Sequence, residues 1–264
     1  MVTPERRDRL LAAGAPLMLV ALWETAVRVG IADARFFPPP SLVLITLYEL
    51  LISGTVVQHT LTTVARVLAG FGIGGAAGLI AGLILGTVQP LRTALEPTIS
   101  ALYVIPKVAI LPLVMLIFGL GEASKIAIVA IATFFIVVIN TTAAVVGVEP
   151  IYVEAGRAFG ARRLAMFRHI ILPGALPMIV TGLRLALGTA LIVVIAAEFV
   201  ATQEGIGFFI WHAWNTLRPE EMFAGFIVIA ALGMLSYAAI RWFGRRAMPW
   251  LEDDRLREGR IDHG

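Results

Sequence analysis

Residues 148–173 read VEPIYVEAGRAFGARRLAMFRHIILP. Structureless connections longer than about 12–15 residues are uncommon unless they have a task. This one joins two long apolar runs, and its residues predict two short helices. Pro150 suits the opening of the first, where its missing N–H would be unpaired in any case. Gly160 suits its close, because glycine takes the left-handed C-terminal conformation without steric cost. Between them Ala155, Gly156 and Ala158 form a surface of small side chains that a partner can approach closely. A second, basic helical piece over 161–169 leads to Pro173 and the next apolar run.

Working outward, a membrane-spanning helix needs about 20 mostly apolar residues. Six runs meet that length, over about 10–29, 64–88, 97–118, 125–147, 174–200 and 222–243, the third interrupted by Pro106 and Pro112. The composition agrees. Of 264 residues 59% are hydrophobic and 15% charged, against roughly 25% charged in an ordinary soluble domain. The N-terminal MVTPERRDRL before an apolar run has the look of a signal peptide, but the run is long and lacks a small-residue cleavage site. An uncleaved first span is expected instead.

Basic residues orient the spans, since cytoplasmic loops retain Lys and Arg. With the N-terminus inside, fourteen of the 21 fall on inner segments: Arg6, Arg7, Arg9, Arg92, Arg157, Arg162, Arg163, Arg168, Arg241, Arg245, Arg246, Arg255, Arg257 and Arg260. Five fall on outer segments or their edges: Arg28, Arg35, Arg66, Lys125 and Arg218. Lys107 and Arg184 lie within spans. The bias predicts six spans with both termini cytoplasmic and 148–173 inside.

Three further features carry expectations. The outer segment 31–63 contains FFPPPS, from Phe36 to Ser41, read as a stiff extended stretch. The outer loop 201–221 carries Trp211 and Trp214, suited to the water–lipid boundary. The second run has Gly70, Gly74, Gly78, Gly82 and Gly86 at every fourth position, a stripe that lets a neighbouring helix approach its backbone.

Several chemistries are excluded. Cysteine is absent, so there is no thiol catalysis, disulfide or thiolate metal site. His59, His169, His212 and His263 lack metal-ligand spacing, so no metal or cofactor is expected. The excess of 21 Lys+Arg over 18 Asp+Glu is explained by topology, without nucleic acid. No G-x-x-x-x-G-K-[ST] string occurs, so the chain cannot cradle ATP phosphates by that device and is not expected to be an ATPase.

The loop also carries a specific pattern. Glu154-Ala155-Gly156, three residues, Gly160, nine residues, then Ile170-Ile171-Leu172-Pro173 resembles the E-A-A, G, I-x-L-P signature of permeases from binding-protein-dependent ABC importers. The one departure is Gly156, where that family usually has alanine. The chain is similar in particular to the nitrate/sulfonate/taurine branch, through His59 with Arg66-Val67 and Gly70-Phe71, and through Ile105-Pro106 with Ala109 and Pro112-Leu113. Phe118-Gly119-Leu120-Gly121-Glu122, Gly182-Leu183-Arg184, Ala197-Glu198 and Gly205-Ile206-Gly207 continue the match in order.

The resemblance implies an all-α, polytopic membrane bundle of the type I importer kind, a single transmembrane domain over 1–264 with its core at about 58–245. It implies a permease subunit of the inner (plasma) membrane, carrying a small solute such as a sulfonate, taurine or nitrate. Separate ATP-binding subunits and an external solute-binding protein would be partners, with the permease itself a homodimer. Glu154, Ala155, Gly156 and Gly160 would couple to the ATPase, with Ile170, Leu172 and Pro173 fixing the start of the next span.

Charged and amide side chains at membrane depth are costly and mark candidate path residues. Here these are Lys107, Asn140, Arg184 and Glu198; pairing between spans competes with solute contact at each. Arg184 and Glu198, 14 residues apart, face similar directions on one ideal helix. Glu24 and Arg28, at i,i+4, read as a surface ion pair. The alternatives to an importer subunit are a stand-alone secondary transporter or channel, which predicts internal repeats around a midplane site, and an intramembrane enzyme, which needs a catalytic set the histidines do not supply.

Overall fold

The computed structural model describes residues 4–200 and 202–250, and among these every regular element is helical. Arg255, Arg257, Arg260 and His263 lie outside the described residues. In chain order come α1 (Pro4–Arg28), α2 (Pro40–Ile52), α3 (Thr55–Thr87), α4 (Gln89–Val104), a 3-10 turn (Lys107–Ile110), α5 (Leu111–Phe118) and α6 (Glu122–Val146). They are followed by α7 (Pro150–Ala158), α8 (Arg163–Met166), a π-helical turn (Phe167–Ile171), α9 (Leu172–Val200), α10 (Ile206–Asn215) and α11 (Pro219–Ala247).

Among the described residues, four helices are long and apolar enough to cross a membrane: α3, α6, the continuous Arg163–Val200 and α11. A fifth span exists if α4 and the Lys107–Phe118 segment, bent against each other by 87°, count as one. The first expected span lies on α1, whose 25 residues are about 37 Å long at 1.5 Å per residue. The count of six therefore depends on α1. Large apolar side chains such as Leu61, Leu116 and Ile192 are exposed around the bundle, as a lipid-facing surface requires.

The centre is α6, packed between α3 and α9. The glycine stripe is the reason α3 fits so closely. A Cβ at Gly70 would meet Val129, at Gly78 it would meet Phe134 and Val137, at Gly82 Thr141, and at Gly86 Val145. At Gly74 it would meet the backbone carbonyl of Ala130, which cannot rotate away. Gly74→Leu should therefore part α3 from α6. Overpacking costs about 1–3 kcal/mol even where side chains can give, and here backbone must move. The expected result is loss of the monodisperse peak on size exclusion in detergent, whereas Gly72→Leu, with open space around it, should elute normally.

Two expectations need correction. The stretch Phe36–Ser41 is not extended throughout: after Pro38 and Pro39 the chain enters α2, with Pro40 in its first turn. The apolar run SLVLITLYELLI after a proline was a helix signal that the PPP string obscured. Glu24 of α1 anchors this helix, accepting the Ser41 N–H at 2.9 Å and the Ser41 hydroxyl at 2.8 Å. It also forms the expected pair with Arg28, at 2.6 Å. The second correction concerns 97–118, which is not one interrupted helix. Helicity begins at Gln89, breaks at Ile105-Pro106, and resumes with Pro112 in the first turn of α5 rather than as a second break. A proline in the first turn costs nothing, while one in the interior forbids a backbone hydrogen bond.

Candidate coupling loop and buried ion triad

The loop forms as its residues dictate. α7 begins at Pro150, and Gly160 closes it at φ +76°. The Gly160 N–H donates to the Arg157 carbonyl at 2.9 Å and the Ala161 N–H to the Gly156 carbonyl at 2.9 Å. These two bonds are the paired closure by which a left-handed glycine satisfies the last carbonyls of a helix. The basic piece after it is α8 and the π-helical turn, running without interruption into α9. Pro173 accounts for the wide turn, because its ring excludes the regular bond to the His169 carbonyl and a wider turn relieves that clash.

Gly156 is not part of an outward small-residue surface. It is buried, and a Cβ there would meet the ends of the Ile170 and Met166 side chains. The glycine thus seats α7 against the segment leading into α9. Ile170 and Pro173 are half-buried, and Leu172 with Ile171 packs on Ala144, Val145, Ala175 and Ile179. Glu154, Ala155 and Ala158 are exposed, and with them Ile151, Tyr152, Phe159 and Leu164. Phe159 is 92% exposed. A short helix fixed by a buried glycine therefore presents aromatic and aliphatic side chains away from the bundle.

At the opposite end of the bundle is a polar cluster that loop-by-loop reading missed. Arg66 of α3, counted above as an outer-edge basic residue, is buried. Its Nε and Nη2 donate to the two oxygens of Glu122, both at 2.6 Å. Nη1 donates to Glu198 at 2.7 Å and to the Glu204 carbonyl at 2.9 Å, and Nη2 also reaches the Thr202 hydroxyl at 3.3 Å. A guanidinium has five N–H donors, enough for these contacts. The Thr63 hydroxyl also contacts Glu198, at 2.9 and 3.0 Å, and accepts the Ile206 N–H at 2.8 Å.

Glu198 is fully buried, and its second oxygen accepts the Gly207 N–H at 2.8 Å. The carboxylate thereby occupies the N-terminus of α10, where unpaired N–H groups favour an anion. Gly205, at φ +106°, and Gly207 are both required, since a Cβ on either would run into Glu198. The His59 ring accepts the Gly205 N–H at 3.1 Å. One cluster thus ties α3, α6, α9 and α10 together.

The family described as "Binding-protein-dependent transport system inner membrane component" matches residues 74–249. The chain belongs to this family. Among its relatives, SsuC of Escherichia coli, a permease protein named for aliphatic sulfonates transport, is 35% identical over 99% of this chain and 100% of its own length. The taurine transport system permease protein TauC of the same organism is 32% identical over 94% of this chain and 92% of its own. In structure, the chain is similar to one in the inward-facing MetNI methionine ABC transporter, with a TM-score of 0.65 and 20% identity, covering 72% of this chain and 94% of that one. That likeness concerns the fold.

For a transport subunit of this family, the four polar residues expected at membrane depth have partners within the chain. The Lys107 ammonium donates to the carbonyls of Leu102, Tyr103 and Ile105 at 2.8–2.9 Å and lies 4.7 Å from the Phe135 ring centroid. It caps the broken end of α4. Lys125, the other lysine of the chain, does the same for the carbonyls of Leu120 and Gly121 beyond α5. Asn140 donates to Ile136 within its own helix and packs against Gly182. The Arg184 guanidinium lies 5.0 Å from the Tyr237 ring of α11, with its Nε unpaired among the described residues. Arg184 and Glu198 are thus met by different helices, α11 and α3. No group of His, Asp or Glu among the described residues is arranged to hold a metal.

Proposed function

We propose that this chain is the membrane subunit of an ATP-driven importer for a small organic anion, a sulfonate or aminosulfonate, with α7 as the part gripped by a separate ATP-binding subunit. The observation that carries this reading is the exposed apolar crest made by Ile151 and Tyr152 of α7, Phe159 just after it and Leu164 of α8, with α7 fixed from behind by Gly156. Large exposed apolar side chains on an otherwise charged, basic loop mark a contact surface. The names of the two E. coli relatives support the solute class.

In this reading two copies of the chain pair about a two-fold axis, since five or six spans in one chain are few to enclose a path. Both termini and α7 face the cytoplasm of a cell inner membrane, and a solute-binding protein delivers from the other side. Glu154, Ala155 and Gly160 shape the gripped surface, while Gly156, Ile170, Leu172 and Pro173 transmit its movement into α9. Lys107, Asn140, Arg184 and Glu198 hold the bundle.

Phe159→Asp tests the assignment. It removes an exposed side chain, so the melting temperature of the isolated permease should be unchanged, while co-purification of the ATP-binding subunit should fall at least tenfold. Undiminished co-purification would remove α7 as the grip. ATP-independent solute accumulation by liposomes holding this chain alone would replace the importer with a stand-alone transporter.

A further inference from the structure

α4 differs from its neighbours. None of its residues is buried, while α3, α6 and α9 are locked together by the glycine stripe and the Arg66 cluster. Between α4 and that locked body, at the α7 end, is a cleft of about 450 Å³. The locked side contributes Leu85, Val138, Ile139, Thr142 and Val146, and α4 contributes Arg92, Glu96 and Ser100. The volume lies in the range of small-molecule sites, which pair apolar walls with a few placed polar groups. Its wall ends at Val146-Gly147, three residues before Pro150 opens α7, so the wall is continuous in the chain with the segment that leads into α7.

The charges are the informative part. Arg92 and Glu96 stand one turn apart on α4, a spacing at which opposite charges ordinarily meet. Among the described residues neither is in an ion pair, with the other or with any third group. Arg92 has one long contact, 3.5 Å to the Gly86 carbonyl. An unpaired cation and an unpaired anion side by side in an otherwise apolar cleft fit a molecule carrying both charges on a short spacer. A simple anion would meet Glu96, and a simple cation would meet Arg92.

We propose that this cleft is a solute site on the permease itself, binding a small zwitterion whose sulfonate or carboxylate meets Arg92 and whose ammonium meets Glu96. The proposal rests on the importer reading and deepens it, placing selection among anions inside the membrane subunit as well as outside it.

The absence of cysteine allows a direct test. Ser100→Cys puts a single thiol on the exposed α4 wall, and its modification rate by a small methanethiosulfonate reagent is measured on the permease with its ATP-binding subunit in nanodiscs. 2-Aminoethanesulfonate should slow modification at least fivefold, ethanesulfonate and ethylamine much less. Adding Arg92→Gln or Glu96→Gln should abolish protection, and Arg92→Lys, which keeps the charge, should retain part of it and control for folding. Equal protection by ethanesulfonate and the zwitterion, or protection that survives Arg92→Gln, overturns the site. A thiol unreactive without any solute also overturns it, since a second copy of the chain would then cover the cleft. ATP-dependent uptake by the same preparation reports on the importer reading independently: uptake without protection sinks the cleft alone, and protection without uptake sinks the importer alone.

Discussion

Replacing Glu198 with alanine should destabilise this protein more than any other single polar change, by about 3–5 kcal/mol, the usual cost of leaving one partner of a buried ion pair uncompensated. The Arg66 guanidinium is 1% exposed and Glu198 0%. Removing the carboxylate strips Arg66 of a fully buried counter-charge and leaves the Gly207 N–H without its acceptor. It also opens a void against Gly205 and Gly207, whose missing side chains exist to make room for it. Glu122→Ala removes the same guanidinium's other partner, but the Glu122 side chain is 57% exposed, so water can replace part of what Arg66 loses and the cost should be smaller than for the fully buried Glu198. The two variants should therefore separate clearly in thermal melts in detergent. Arg66→Met with Glu198→Met should lose less than the sum of the single changes, because the residues share one interaction. A Glu198→Ala protein melting with the wild type would mean that the cluster does not hold α10.

That cluster shows where reading the chain fell short. Arg66, Glu122, Glu198 and Gly205-Ile206-Gly207 are each visible in the sequence, the arginine as a topological charge, Glu198 as a path candidate, Glu122 and the glycines as part of a family likeness. Nothing local says that they meet. His59 and Gly205 are 146 positions apart, and their contact is set by how α3 and α9 lean on α6. The glycine stripe at every fourth position was legible because helical periodicity alone determines which face it occupies. The loop over 148–173 was legible for a similar reason: Pro150 and Gly160 act through their own backbone. The inward turn of Gly156 was not, since an exposed and a buried face of a nine-residue helix look alike until the π-helical turn after it is known. The bend at Ile105-Pro106 was visible as a break, but its angle of 87° was not, because a proline ends a helix without setting the direction in which the chain resumes.

Enlarging Gly156 should uncouple the machine without unfolding it. The groups an added side chain would meet first are Ile170 Cδ1 and the Met166 Cε methyl, both flexible ends that can yield to a single methyl. Gly156→Ala should therefore be nearly silent. Gly156→Leu adds three carbons beyond that, and overpacking of this kind costs about 1–3 kcal/mol. The bundle core formed by α3, α6 and α9 does not include Gly156, so the strain falls on the seating of α7 rather than on the fold. The expected result is a normal melting temperature and correct membrane insertion, with ATP-dependent uptake reduced at least tenfold, since 1.4 kcal/mol displaces a two-position equilibrium by that factor. Ile170→Ala vacates the space the leucine needs, so the double variant Gly156→Leu, Ile170→Ala should recover uptake that neither substitution explains alone. Full activity in Gly156→Leu, or failure of the Ile170→Ala rescue alongside an intact Ile170→Ala single variant, would show that transmission from α7 to α9 does not pass through this contact.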